Sequence, residues 1–85
     1  MGDRVYILLD IAYGKAEQVA QVLQESPGVV MADVVEGPPE VIVVMEAAEQ
    51  ERLVKLTIQA LASVESMTEH VCLLPARYRL NTGTS

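Results

Sequence analysis

At 85 residues the chain is long enough for one domain with a small core, and 51% of it is apolar: mostly Val, Leu, Ile, Ala and Met, with three Tyr and no Phe or Trp. That content is too hydrophobic for a disordered chain, and no apolar run is long enough to span a membrane. Six Lys and Arg against twelve acids give a net charge of −6, which excludes the basic stripe that direct nucleic-acid binding or an anionic membrane surface requires.

The N-terminal MGDRVYILLD lacks the basic start and small-residue cleavage site of a signal peptide, so the expected location is cytoplasmic. Arg4 to Ala12 (RVYILLDIA) is aliphatic and short, and predicts a strand. Tyr13-Gly14-Lys15 turns the chain. Ala16, Val19, Ala20 and Leu23 then recur at helical spacing, with Glu17, Gln18, Gln21 and Gln24 on the opposite side. Ser26-Pro27-Gly28 ends this helix, since proline cannot continue it and glycine accepts a positive φ. Val29 to Glu36 and Glu40 to Glu46 predict two further strands, joined as a hairpin through Gly37-Pro38-Pro39. A longer helix is expected from about Ala47 to Val64. Its apolar stripe is Leu53, Thr57, Ala60, Leu61 and Val64, widened by Val54 and Ile58, and Glu49 and Glu51 favour its positive end. Met67 to Leu74 forms the last strand, stopped by Pro75. The domain is therefore read as residues 1–75, with 76–85 a C-terminal extension: a short edge strand (ARYRL), then a frayed tail.

The order β-α-β-β-α-β and right-handed crossovers lead to an α+β, ferredoxin-like fold: an antiparallel sheet with two helices on one face and the first and third strands central. Two helices cover only one side of such a sheet, yet both sides are apolar. Val5, Ile7, Leu9 and Ile11 oppose Tyr6 and Leu8; Val41, Val43 and Met45 oppose Ile42 and Val44; Val71 and Leu73 oppose Cys72 and Leu74. A sheet with one wet face alternates more cleanly. Leaving a row in water forgoes roughly 1.5–3 kcal/mol per large side chain, and the expectation is a homodimer packed sheet to sheet.

Over residues 4–75 the sequence resembles the effector-binding (RAM) domain of the Lrp/AsnC regulators. The resemblance rests on four pieces in order: AYGKAEQV, SPGVVMADVVEG, the Gly-Pro-Pro-Glu hairpin leading into VIVVMEA, and SVESMTEHVCLL. Gly14-Lys15 matches the family's turn, Pro27-Gly28-Val29 its entry to the second strand, and Gly37 its hairpin glycine. Glu40 stands where the family has Asp, with Pro39 before it. His70-Val71-Cys72 replaces a frequent Thr-x-Thr, and Ser66 a Gly. The resemblance implies a dimeric α/β barrel that assembles into rings of dimers, and small amino-acid-like effectors bound near the hairpin. It also implies a stand-alone module without the usual helix-turn-helix, with full-length regulators of the same family as partners.

The candidate ligand-binding residues are Gly37, Pro38, Pro39, Glu40, His70 and Cys72. Glu40 suits a ligand's ammonium group, and Gly37 lets backbone amides approach a carboxylate; a solvated carboxylate beside a turn glycine explains them as well. His70 is either a base or pH-sensitive interface residue or a hydrogen-bonded structural one. Cys72 reads as a small hydrophobe: a single cysteine forms no internal disulfide, and with one histidine it makes no metal site. Asp10 and Asp33 interrupt apolar strands, at an interface, a pocket or simply in solvent, and Tyr13 and Tyr78 are candidates for packing across protomers. No catalytic motif appears, no cofactor or metal is expected, and the chain is read as a binding module rather than an enzyme. Two rival readings are a cofactor-free dimeric-barrel enzyme using His70, Tyr6 and Asp10, and a peptide-binding chaperone of ferredoxin-like fold.

Overall fold

The computed structural model describes residues 2–76. Its elements are β1 (Asp3–Ile11), α1 (Ala16–Gln24), β2 (Val29–Val34), β3 (Val41–Ala47), α2 (Gln50–Ser63), a short 3-10 turn (Glu65–Met67) and β4 (Thr68–Pro75). The four strands form one antiparallel sheet in the order β2-β3-β1-β4. This is the ferredoxin-like split βαβ arrangement, with β1 and β3 central. Of the expected extension, residues 77–85, including Arg77, Tyr78 and Arg79, lie outside the described residues. Ala76 is buried, and its N–H donates to the Arg4 carbonyl at 3.0 Å. No helix among the described residues is long and apolar enough to cross a membrane.

Period-two alternation on the central strands sets the core. Val5, Ile7, Leu9 and Ile11 of β1 and Val41, Val43 and Met45 of β3 are buried under the helices. They meet Val19, Ala20 and Leu23 of α1 and Leu53, Leu56 and Ala60 of α2. Two glycines fix the connections. Gly14 has φ +80° in the β1–α1 turn, and Gly28 has φ +87° after α1. At Gly28 a Cβ would also approach Leu56 Cδ1 to 2.9 Å, so a side chain there is strained by the backbone and requires Leu56 to shift.

The α2 stripe differs from the sequence expectation. Ala47 closes β3, and the helix begins at Gln50, with Glu49 as its N-cap. Leu56 is buried beside Leu53, Thr57 and Ala60, whereas Val54 and Ile58 are 50% and 63% exposed. The helix packs mainly over β3 and β1, and a groove separates the shoulder carrying Val54 and Ile58 from β4. For the same reason Val71 and Leu73, on the helix side of β4, remain 44% and 46% exposed.

The opposite sheet face carries Tyr6, Leu8 and Asp10 of β1, Ile42, Val44 and Glu46 of β3, His70, Cys72 and Leu74 of β4, and Met31 and Asp33 of β2. No described element covers it. Its middle is apolar and its two ends are polar.

Truncating Leu56 to Ala should therefore cost about 2–5 kcal/mol, while Ile58→Ala should stay within about 0.5 kcal/mol of the parent. Urea denaturation of the two variants checks this assignment of the α2 faces.

Candidate functional site

The β2–β3 hairpin and the ends of β1 and β4 enclose a concavity of about 260 Å³ on the uncovered sheet face, lined by Leu8, Asp10, Pro38, Pro39, His70, Val71 and Cys72. Antiparallel register brings these distant residues together: Leu8 pairs with Cys72 and Asp10 with His70. His70 Nδ1 lies 3.6 Å from Asp10 Oδ2, an ion pair when the imidazole is protonated. Pro38 and Pro39, linked by a cis peptide bond, form a rigid apolar wall beside this polar pair.

Gly37 and Glu40 shape the hairpin rather than line the concavity. At Gly37 a Cβ would lie 1.7 Å from the Pro39 carbonyl oxygen, so the turn admits no side chain there. The loop closes through the Val35 N–H donating to the Glu40 carbonyl at 2.9 Å. The last β1–β3 pair is Leu9 with Val41, so β1 runs on beyond the end of β3. The Glu40 side chain takes the place of the missing strand: Oε1 accepts the Ile11 N–H at 2.8 Å, and the Glu40 N–H donates to the Leu9 carbonyl at 3.0 Å. One carboxylate oxygen is thus committed to the fold.

Four of the six residues singled out from the sequence, Pro38, Pro39, His70 and Cys72, therefore meet in one place. Leu8, Asp10 and Val71 complete it. Asp10 and Leu8 share strand parity, the signal that places them on one face; their apposition to His70 and Cys72 needs the β1–β4 register, which sequence reading does not supply. Asp33 pairs with Ile42 and is exposed on the same face, toward the β2 edge. Tyr13 projects fully into solvent.

At the far end of the same face, Arg4 and Glu46 oppose each other across β1 and β3. Arg4 Nε donates to Glu46 Oε2 at 2.6 Å, Nη2 contacts the same oxygen, and Nη1 donates to the Tyr6 hydroxyl at 3.2 Å. These bonds, to Tyr6 and then Glu46, raise the Arg4 pKa above its already high ordinary value, so the cation is permanent.

A larger groove of about 360 Å³ lies on the helix side, between the α2 shoulder (Val54, Ile58, Leu61) and β4 (Leu73, Pro75). It is the gap beside α2 over β4, and Asp3, Arg4, Gln50 and Thr57 also line it. The hairpin concavity is smaller, and it brings Asp10 and His70 together beside apolar walls. Among the described residues no group of three or more His, Cys, Asp and Glu side chains is placed to hold a metal ion.

No family model matches the sequence, and no curated protein is detectably similar to it. Solved structures are similar to it. FFRP-DM1 is 24% identical over 87% of this chain and 97% of that one, with a TM-score of 0.77. A hypothetical protein from Pyrococcus horikoshii is 25% identical over 89% of each chain, TM-score 0.78. A transcriptional regulatory protein of the AsnC family from Pyrococcus furiosus is 16% identical, TM-score 0.65, over 89% of this chain and 51% of that one. A putative antibiotic biosynthesis monooxygenase from Bacteroides thetaiotaomicron shares the architecture at 17% identity and TM-score 0.61. The ferredoxin-like fold is common to them all, and one of them is an AsnC-family regulator.

Replacing Glu40 by Ala should cost about 1–3 kcal/mol, because the Ile11 N–H loses its acceptor. Glu40→Gln keeps a side-chain oxygen there and should recover most of that loss in the same denaturation measurement.

Proposed function

We propose that this chain is a small-molecule effector-binding and self-associating module of the Lrp/AsnC effector-domain type, acting in the cytoplasm. The observation that carries the proposal is the hairpin concavity: Asp10 and His70 side by side, flanked by apolar surface from Leu8, Pro38, Pro39 and Cys72. A carboxylate and an imidazole a few ångströms apart match the ammonium and carboxylate of an amino acid, and the walls leave room for a side chain. The architecture shared with an AsnC-family regulator, at the level of fold, and the hairpin sequence around Gly37 support the same reading. The match spans about half of that regulator's length.

The uncovered apolar sheet face supports a homodimer packed sheet to sheet, on which a ring of dimers builds. Binding rather than catalysis is the better reading of the site. The His70 side chain is 81% exposed, whereas a general base works best in a cleft from which water is excluded.

A thermal-shift panel of the twenty amino acids tests the effector claim. A ligand at ten times its Kd stabilises by about 1.4 kcal/mol, which raises the Tm of so small a domain by about 6–11 °C. At least one amino acid should do so, and His70→Ala should abolish the shift. No shift with any of the twenty would contradict the reading.

A further inference from the structure

The groove on the helix side follows one straight stripe of α2. Leu53, Val54, Thr57, Ile58 and Leu61 recur at helical spacing and make one wall, with Gln50 at its start. Val5 of β1 and Leu73 and Pro75 of β4 line the other side. From Gln50 to Leu61 the helix rises about 16 Å. A volume of about 360 Å³ spread along that length makes a slot rather than a bowl.

Thr57 is the one buried polar residue among the described residues, at 7% exposure. Ser26, Ser63 and Thr68 each donate their hydroxyl to a carbonyl three or four residues back. The Thr57 hydroxyl makes no such bond and has no other partner among the described residues. No buried side-chain oxygen or nitrogen among them is sealed from solvent without a partner, so this hydroxyl opens into the slot that Thr57 lines. A hydroxyl so nearly buried and unpaired is costly until something bonds to it.

We propose that the slot binds a neutral, elongated apolar molecule carrying one hydroxyl or carbonyl group, which hydrogen-bonds to Thr57. The walls are aliphatic, and Val54, Ile58 and Leu73 are about half exposed, so an apolar body gains by covering them. The polar contact is a single uncharged hydroxyl that both donates and accepts, which suits an alcohol or a ketone. Acids flank both ends: Asp3 at one, and Glu65 and Glu69 in the adjoining hollow past Leu61 at the other. None of these three carboxylates has an ion-pair partner among the described residues, and together they disfavour an anionic head. Arg4 also lines the Asp3 end, but Glu46 and Tyr6 engage its guanidinium. The slot lies across the sheet from the bare face and is independent of the hairpin concavity.

NMR titration of the isotope-labelled full chain with 1-octanol tests the proposal. Signals of Thr57, Ile58, Leu61 and Leu73 should shift together and saturate, while those of Tyr6 and Val44 on the opposite face stay still. Thr57→Val keeps the side-chain shape without the hydroxyl and should weaken octanol about three- to tenfold; Thr57→Ser should recover much of that loss. Octanoate should bind about two- to fivefold more weakly than octanol at low salt. Should Thr57→Val fail to fold by circular dichroism, Ile58→Lys on the exposed shoulder is the second variant, and it should abolish binding. Absence of saturable shifts, equal shifts on the opposite face, or octanoate binding as tightly as octanol overturns the proposal. So does an affinity left unchanged by Thr57→Val or Ile58→Lys. Cross-relaxation between Ile58 and residues 77–85 in the ligand-free chain would instead assign the slot to the chain's own C-terminal segment. Signals of Ile58 and Leu73 that move on dilution would assign it to a second copy.

Discussion

Two helices cannot cover two faces of a sheet, and the molecule is organised around that mismatch. On the covered face, β1 and β3 bury seven aliphatic or thioether side chains beneath α1 and α2. On the other, Tyr6, Leu8, Ile42 and Val44 remain partly in water, with Leu74 48% exposed at the β4 edge. Covering such side chains contributes up to roughly 1.5–3 kcal/mol each. For a domain whose net stability is of the order of 5–15 kcal/mol, that is a large share.

The two sheet edges are treated differently. Beside β2 lie α1 and a register shift between Val29 and Met31, and the Gln24 side chain donates to the Ala32 carbonyl at 2.9 Å. These features discourage further strand addition. Among the described residues β4 pairs only with β1, and Val71, Cys72, Leu73 and Leu74 form a run without charge or proline. The apolar surface of the uncovered face thus continues around β4 toward the α2 groove. The hairpin concavity stands at the polar margin of this surface, beside the Pro38-Pro39 turn and the Asp10–His70 pair.

Much of this was legible in the residues, and the exceptions have physical causes. The nearly continuous apolar runs VYILLDI and VIVVM identify central strands whose two faces are both apolar, and the split βαβ order follows from the succession of elements. The α2 stripe was legible only in part. A helical wheel shows which residues cluster, but whether Ile58 or Leu56 is buried depends on where the helix axis crosses the sheet, a tertiary matter. Glu40 illustrates a second limit. Its carboxylate looks free in the sequence, and only the unequal lengths of β1 and β3 reveal that it replaces a strand at Ile11. Asp10 and His70 are sixty residues apart, so their meeting depends on register, which periodicity alone does not give.

The central claim is that a second copy of the chain covers the bare sheet face. Sedimentation equilibrium of the parent chain and of Val44→Lys tests it most directly. Val44 lies in the middle of that face and faces none of the core, so a lysine there leaves the fold intact while placing a charge in the proposed interface. The account predicts twice the 9.2 kDa chain mass, or a higher even multiple, for the parent, and a folded monomer for the variant. A parent chain that sediments as a monomer at tens of micromolar, or a Val44→Lys variant with an unchanged mass, would contradict it.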